Sequence, residues 1–314
     1  MANKAQTHAS SMDTRFNYEP LFFTHPQNQK APQKFLEKTL DYPFWVSSMT
    51  GGAELAYTIN QNLAKLCGKY NLGMGLGSCR SILNSDERLK DFAVRSHTNG
   101  PLYANLGIAQ VEELLEVHQE NKIHEMVKKL EADGLIIHLN PLQEWFQPEG
   151  DRYTKSPFET LTKFLERSSY PVIVKEVGHG LGPKSLAALL KLPVKAIEFG
   201  AFGGTNFTLL ESMRQEENQV KAPFIHVGHT AHEMVEILNA LPKSDKEFII
   251  SGGIKNVLDA YELKTKLKAT SAIGMAHPFL NPAKESFESL EKYFLGLCEA
   301  YLSAMGLLTV KEQE

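Results

Sequence analysis

Three glycine-rich segments in the second half of the chain have the composition of a phosphate-binding site. They are Gly-Gly-Thr at residues 203–205, Ser-Gly-Gly at 251–253 and Gly-Met-Ala at 274–276. Glycine lets backbone N–H groups approach an anion, and a following helix adds the attraction of its N-terminal dipole. One Gly-Gly pair is explained equally well by a turn of the chain. Three such segments, each after an apolar run, predict a phosphate cradle.

A lysine interrupts the apolar run Val-Ile-Val-Lys-Glu-Val at residues 172–177. A strand of this composition is buried on both faces of a parallel sheet, where a lysine is rare unless it is paired or used. Lys175 therefore either stabilises negative charge on a bound cofactor or pairs with a neighbouring carboxylate, Glu176 or Glu198. We favour the role at a cofactor, because a buried ammonium is a strong point charge.

Polar side chains are concentrated between residues 138 and 151. Alternation along a strand places His138 and Asn140 on the same side, so both can face one site. Gln143 and Glu144 follow. Glu144 offers a hard oxygen to Mg²⁺, which usually takes one or two carboxylates together with substrate phosphates. The alternative for Glu144 is a solvated loop carboxylate.

Three further motifs resemble known binding sites, but their spacing or position does not fit those sites. Pro183 separates the last glycine from the lysine in a P-loop-like segment at residues 178–185, and the glycines at 73–77 lack the third position of a dinucleotide fingerprint. His226, His229 and His232 could ligate zinc, but they lie at a strand-to-helix junction where convergence is not expected. We expect neither a nucleotide loop nor a zinc site from these segments.

Short apolar runs alternate with amphipathic helical stretches, such as residues 111–131, from residue 44 onward. A ninth run, 224–227, is brief and follows Pro223, so we discard it as a strand. Polar and glycine residues follow nearly every strand, as at the active face of a TIM (β/α)8 barrel, whereas an open sheet concentrates them at one switch point. The eight predicted strands are 44–47, 73–76, 102–106, 135–139, 172–177, 196–199, 248–250 and 272–275.

We therefore predict a single α/β domain, a (β/α)8 barrel at residues 41–314. Residues 1–40 form an N-terminal arm, and three prolines interrupt any period in it. We expect this arm to be irregular, with at most one short helix.

The composition excludes several classes of protein. Of 314 residues, 42% are apolar and 22% charged, and the net charge of −4 predicts no electrostatic binding of nucleic acid or membrane. No apolar stretch approaches the roughly 18 to 20 residues that span a bilayer, and residues 1–12 lack the apolar region of a secretory signal. Three widely spaced cysteines, Cys67, Cys79 and Cys298, predict reduced thiols and a cytoplasmic protein.

Taken together, the motifs resemble those of the type 2 isopentenyl-diphosphate delta-isomerases, which are FMN-dependent barrels. The similar segments are S-S-M-T-G-G within 43–52, G-L-G-S-x-R at 75–80, A-N-L-G at 104–107, H-L-N-P-L-Q-E to Q-P-E-G-D at 138–151, and P-V-I-V-K-E-V-G at 171–178. The three glycine-rich segments follow in the family's order. The resemblance covers residues 43 to about 280.

The resemblance implies an isomerase of isoprenoid biosynthesis that interconverts isopentenyl and dimethylallyl diphosphate by flavin-assisted proton transfer. It implies FMN, NADPH and Mg²⁺ as cofactors, a small diphosphate substrate, and a homo-oligomer, either a tetramer or an octamer. Gln143, His138 and Asn140 would be catalytic, and Glu144 would bind the metal. Ser78, Cys79, Arg80 and Gln143 would bind substrate. The cofactor would contact Ser48, Met49, Thr50, Ser78, Asn105, Lys175, Thr205, Gly252, Gly253, Ala276 and His277.

Several positions depart from the family pattern. The family's N-terminal Arg-Lys segment, which helps to hold the diphosphate, has no counterpart, and Arg15 is a lone arginine. Gly200 stands where serine is usual, Cys79 where glutamine is common, and Lys255 where arginine often follows S-G-G-x. We therefore expect weaker substrate binding than the family norm unless Arg15, Lys255 or a neighbouring subunit compensates.

Two alternative functions remain open at this point. A 2-hydroxyacid oxidase or dehydrogenase with an FMN barrel would need an arginine in an H-G-x-R segment, but His179-Gly180 is followed by Leu181-Gly182. A non-catalytic flavin-binding homologue would not require Gln143 and Glu144.

Overall fold

The structure is a computed structural model that describes residues 5–27, 29–48, 55–214 and 219–311. The N-terminal arm contains two 3₁₀ turns and three short strands: β1 (Phe16–Tyr18), β2 (Gln33–Phe35) and β3 (Lys38–Leu40). The arm is thus more regular than the sequence predicts. Each strand has only three residues, too few to show an alternating pattern.

Eight parallel strands follow and close into a barrel, in which each strand pairs with the next and the last with the first. This confirms the predicted TIM barrel. The discarded segment at 224–227 forms no strand, because Ala222–His226 is a 3₁₀ turn. The barrel strands are β4 (Phe44–Val46), β5 (Gly73–Gly75), β6 (Leu102–Gly107), β7 (Gly134–Leu139), β8 (Val172–Glu176), β9 (Ala196–Glu198), β10 (Glu247–Ser251) and β11 (Ser271–Met275).

Helices surround the barrel, and the last of them leads into β12 (Leu308–Val310), which pairs with β1. The helices are α1 (Ala56–Lys69), α2 (Leu89–Phe92), α3 (Ile108–Glu116), α4 (Asn121–Lys129), α5 (Pro141–Phe146), α6 (Pro157–Leu165), α7 (Pro183–Leu189), α8 (Phe207–Ser212), α9 (Ala231–Ala240), α10 (Val257–Lys266), α11 (His277–Glu285) and α12 (Phe287–Leu307). The predicted helical stretch 111–131 is two helices, because His118 adopts a left-handed φ of 53° between them. Of the helices in the described ranges, none is long and apolar enough to cross a membrane.

The barrel interior changes from apolar to polar along its axis. The β2–β3 hairpin closes one end, where Phe35 and Leu40 pack against Trp45, Tyr103 and inward-facing side chains of other strands. Alternate residues of a strand face the same side, so the next inward position lies two residues further toward the carboxyl end. Those positions form a polar layer made of Ser47, Gly75, Asn105, His138, Lys175, Glu198, Ser251 and Gly274.

Candidate active site at the carboxyl end of the barrel

Two of the glycine-rich segments meet above the polar layer. Gly203, Gly252 and Gly253 have φ of 106°, 86° and 70°, which side chains rarely adopt. A Cβ added to Gly204 would lie only 3.0 Å from the backbone nitrogen of Gly253, so the two loops are in contact. The third segment lines the same pocket through Ala276 and His277, as does Thr205. The structure therefore brings together all three segments of the predicted phosphate cradle.

Lys175 and Glu198 face each other in register on β8 and β9, and both line this pocket. The Lys175 ammonium donates to the carbonyl oxygen of Glu176 at 2.9 Å and forms no ion pair with any described residue. The Glu176 carboxylate instead accepts hydrogen bonds from the N–H groups of Gly178, His179 and Gly180, which fixes the loop after β8. Of the two alternatives for Lys175, pairing with a carboxylate is thus not observed.

Two buried polar atoms of pocket residues have no hydrogen-bond partner among the residues that the structure describes. They are Oγ of Ser47 and Oε2 of Glu198, whose residues are 5% and 1% exposed. A buried polar group without a partner costs about 1–3 kcal/mol. A polar ligand whose groups reached these two atoms would relieve this cost, and the glycine loops line the same pocket.

A short chain of hydrogen bonds runs from β4 to β7. Asn105 donates from Nδ2 to Oγ of Ser48 at 2.7 Å, and its Oδ1 lies 2.7 Å from Nδ1 of His138. Because Oδ1 can only accept, the His138 proton is on Nδ1. Burial, with a smaller contribution from the positive charge of Lys175, lowers the pKa of His138 to about 3. The imidazole is therefore neutral at physiological pH.

Three of the residues predicted from the 138–151 segment, Asn140, Gln143 and Glu144, form one network at the start of α5. Asn140 donates to Oε1 of Gln143 at 3.2 Å and to Oε1 of Glu144 at 2.7 Å, and accepts from the Tyr153 hydroxyl at 3.0 Å. Gln143 in turn donates to Oε1 of Glu211 at 3.2 Å. The amide of Gln143 is thus oriented at both ends.

Glu211 is a residue that the sequence analysis misses. It lies on α8, is buried, and accepts from both Gln143 and Gln147. The only signal in the sequence is that the two glutamines are four residues apart, so they share a helix face. Nothing in the sequence indicates which carboxylate that face meets.

Glu144 is not the solvated loop carboxylate of the alternative interpretation, since it is 9% exposed. Its Oε1 accepts from Asn140, and its Oε2 accepts from the backbone N–H of Asp151 at 2.8 Å. In the described part of the chain, no three metal-ligating side chains come together. Mg²⁺ at Glu144 would therefore rely on substrate oxygens for most of its ligands.

The residues predicted from the 75–80 segment have different environments. Arg80 is largely exposed, 3.4 Å from Oδ2 of Asp151, and Ser78 is half-buried. The Cys79 thiol is fully buried against the carbonyl of Gly77, and burial raises its pKa to about 12. The Cys79 side chain thus has no accessible surface, and its substrate-binding role stays a prediction.

Arg15 does not compensate for the absent Arg-Lys segment. Its guanidinium forms ion pairs with Asp13, Asp259 and Glu262 at 2.7, 2.9 and 2.6 Å, beside α10 on the outside of the barrel. Lys255 is exposed. The predicted cofactor residues Met49 and Thr50 lie outside the described residues. All three cysteines are buried and free, as the sequence predicts.

Comparison with curated proteins gives close relatives, although no protein-family model matches the chain. An isopentenyl-diphosphate delta-isomerase of Rickettsia peacockii is 36% identical over 260 residues, which cover 82% of this chain and 74% of the relative. The enzyme of the same name from Rickettsia felis is 34% identical over 295 residues, which cover 92% of this chain and 84% of the relative. The chain belongs to the isopentenyl-diphosphate delta-isomerase family. The predicted resemblance is confirmed, and the protein is an enzyme of this isomerase family.

Solved structures with the same barrel are more distant from this isomerase-family chain. A mandelate oxidase variant with an FMN adduct has a TM-score of 0.60 at 14% identity, and the match covers 95% of this chain and 88% of that one. A flavocytochrome b2 variant with sulfite bound has a TM-score of 0.63 at 14% identity, with coverage of 93% and 71%. Such identities show the fold alone. The alternative of a 2-hydroxyacid oxidase has no support beyond this shared barrel.

Proposed function

We propose that this protein interconverts isopentenyl diphosphate and dimethylallyl diphosphate by moving a carbon–carbon double bond through proton transfer. The observation that carries the proposal is the hydrogen-bonded set of Asn140, Gln143 and Glu211, at the same end of the barrel as a glycine-lined pocket, in a chain of this isomerase family. The substrate carbon skeleton has no carbonyl to activate it, so a proton must be delivered to carbon in a site that excludes water.

The pocket fits FMN. Gly204, Gly252 and Gly253 offer backbone to a phosphate, Lys175 offers a positive charge to the ring, and two unpartnered buried atoms offer further hydrogen bonds. When bound and reduced, FMN would supply the acid/base group of the reaction. NADPH is the reductant that the family resemblance implies.

The side chains at the mouth of the barrel do not themselves provide an acid/base group, which supports a role for reduced FMN. His138 has a pKa of about 3, so at neutral pH it is an uncharged imidazole whose one proton, on Nδ1, is engaged by Asn105, and it is not an imidazolium that could act as the acid. Gln143 carries no ionisable proton. Its amide, fixed by Asn140 and Glu211, would orient the reacting carbons, and this fixed geometry lowers the entropy cost of reaction.

Mg²⁺ would bind between Glu144 and the substrate diphosphate. Asn140 and the backbone N–H of Asp151 orient the Glu144 carboxylate, and a bound ion would compete with or share these contacts. Arg80 is the exposed cation of the predicted substrate residues and would bind the diphosphate together with Mg²⁺. In this way Mg²⁺ would offset the diphosphate charge that an N-terminal Arg-Lys segment would otherwise neutralise.

We infer a homo-oligomer, either a tetramer or an octamer, in which a neighbouring subunit adds a cation to the diphosphate site; analytical ultracentrifugation tests the oligomeric state. Buried free thiols agree with a cytoplasmic location.

An anaerobic assay tests the function. The protein is incubated with isopentenyl diphosphate, FMN, NADPH and Mg²⁺, and the allylic product is measured by acid lability and mass spectrometry. We expect product with the wild type and a large loss with Gln143→Ala, while Gln147→Ala, which shares Glu211, retains most activity. A protein that binds FMN but forms no allylic product would instead be a non-catalytic flavin-binding homologue. Turnover of a 2-hydroxy acid would favour the oxidase.

A further inference from the structure

Glu198 has the most unusual environment of the charged residues in the pocket. It is 1% exposed, it lines the pocket, and its Oε2 has no hydrogen-bond partner in the described part of the chain. The sequence suggests Lys175 as its partner, and the two residues are in register on β8 and β9, yet they form no ion pair. A carboxylate in this position needs a hydrogen-bond donor from elsewhere, because desolvation of an unpaired charge is costly.

The position of Glu198 relative to the phosphate cradle indicates what that donor is. β9 ends at Glu198, and the Gly203–Gly204 loop follows directly on the same strand-to-helix connection. Lys175 lies in register on the neighbouring strand and lines the same pocket. Glu198 is therefore next to the lysine that would face a flavin ring, on the strand that leads into one of the loops that would hold its phosphate.

We propose that Glu198 binds the hydroxyl groups of the ribityl chain that joins the ring and the phosphate of FMN, an inference that rests on the proposed FMN site. A carboxylate only accepts hydrogen bonds, and hydroxyl groups are the donors which that part of FMN presents. The Lys175 ammonium, in register on the next strand, offsets the negative charge of Glu198, so the carboxylate does not expel an anionic ligand. Glu198 is thus a cofactor-binding residue.

Binding measurements test the proposal without an activity assay. The dissociation constants of FMN and of a phosphopentyl analogue, which keeps the ring and phosphate but lacks the three ribityl hydroxyls, are measured by quenching of flavin fluorescence. We expect Glu198→Ala to weaken FMN binding about 10- to 100-fold, as for a lost charge-assisted hydrogen bond, and to leave the affinity for the analogue unchanged. Glu198→Gln keeps an acceptor oxygen, so its affinity for FMN should lie between those of the wild type and Glu198→Ala.

Ser271→Ala is the matched control, since Ser271 is equally buried and its hydroxyl also lacks a partner, but it lies at the opposite end of the barrel. Its affinity for both ligands should equal that of the wild type. Equal weakening of FMN and of the analogue by Glu198→Ala would overturn the proposal and give Glu198 a role at the ring or in folding. An unchanged affinity of Glu198→Ala for both ligands would also overturn the proposal. If the wild type binds neither ligand, the FMN site itself fails.

Discussion

The imidazole of His138 and the amide of Asn105 form a hydrogen bond, with 2.7 Å between Nδ1 and Oδ1. The amide is fixed in turn by its bond to Ser48, so the acceptor oxygen faces His138 and selects the Nδ1–H tautomer. A neutral histidine with one defined tautomer is thereby placed in the polar layer of the barrel. The titration behaviour of His138 follows from this contact.

His138 should remain neutral as the pH falls through 6.5 and gain a proton only near 3. Its pKa is lower in the folded state, so the unfolded chain binds more protons between these values, and stability falls as the pH decreases from 6.5 toward 3. Histidine NMR titration and urea unfolding measure both effects. Asn105→Asp should raise the pKa of His138, because a carboxylate favours the imidazolium. A normal titration of wild-type His138 would contradict the prediction.

Lys175→Met should lower the reduction potential of bound FMN. The ammonium would attract negative charge on the reduced ring in a site of low dielectric, and methionine keeps the volume but removes this attraction. The potential is measured by dye-coupled titration. Lys264→Met is the matched control, because Lys264 is a second partly buried lysine whose ammonium contacts the Ser271 carbonyl at the other end of the barrel. An unchanged potential in Lys175→Met would show that the charge does not face the ring.

Glu211→Ala should lower kcat on the order of 10- to 100-fold with little change in KM. Without Glu211, the Nε2 group of Gln143 loses its acceptor and the amide can rotate out of position. Steady-state kinetics with isopentenyl diphosphate measure the effect. Gln147→Ala removes a second amide donor to Oε1 of Glu211, at 2.7 Å, and leaves the Gln143 contact and the ion pair of Glu211 with Arg214 in place, so its kcat should stay close to the wild-type value. A rise in KM alone would assign Glu211 to substrate binding instead.

Gly204→Ala should weaken FMN binding about 10-fold or more and leave the fold intact. The added methyl group would lie 3.0 Å from the Gly253 nitrogen, in the cradle, while the residue itself has no left-handed φ. Gly296→Ala is the control: its methyl group meets nothing within 4 Å on α12, and it should raise stability by about 0.5–1 kcal/mol without affecting FMN. Fluorescence quenching and thermal unfolding separate the two effects. Wild-type affinity in Gly204→Ala would place the phosphate elsewhere.

Glu131→Gly should raise the free energy of unfolding by about 1 kcal/mol. Glu131 follows the C-cap of α4 with a φ of 48°, a conformation that glycine adopts at low cost. The substitution keeps the backbone carbonyl that accepts from Arg95. Glu125→Gly, at an exposed site inside α4, should lower stability by a similar amount, and chemical denaturation measures both. Destabilisation by Glu131→Gly would mean that its side chain contributes more than the backbone strain costs.

Much of the fold is encoded locally and is therefore visible in the sequence. The eight strands are short apolar runs followed by glycine or polar residues, and this pattern depends only on neighbours along the chain. The same local logic identifies the three glycine-rich segments and places His138 and Lys175 on inward-facing positions. This local logic fails in the N-terminal arm. There β1 pairs with β12, so that Asn17 lies opposite Thr309, and no local pattern reveals a pairing between residues so distant in sequence.

The sequence by itself determined the barrel, the three glycine-rich segments and the residue types at its mouth. Only the tertiary structure decided which of those residues meet. Gln143 contacts Glu211 because α5 packs on α8, 68 residues later in the chain, and Oε2 of Glu198, which lines the pocket, has no partner among the described residues. Periodicity gives the face on which a side chain lies. Its partners depend on the packing of elements that are distant in sequence, and N–H···O hydrogen bonds form only within about 3.2 Å.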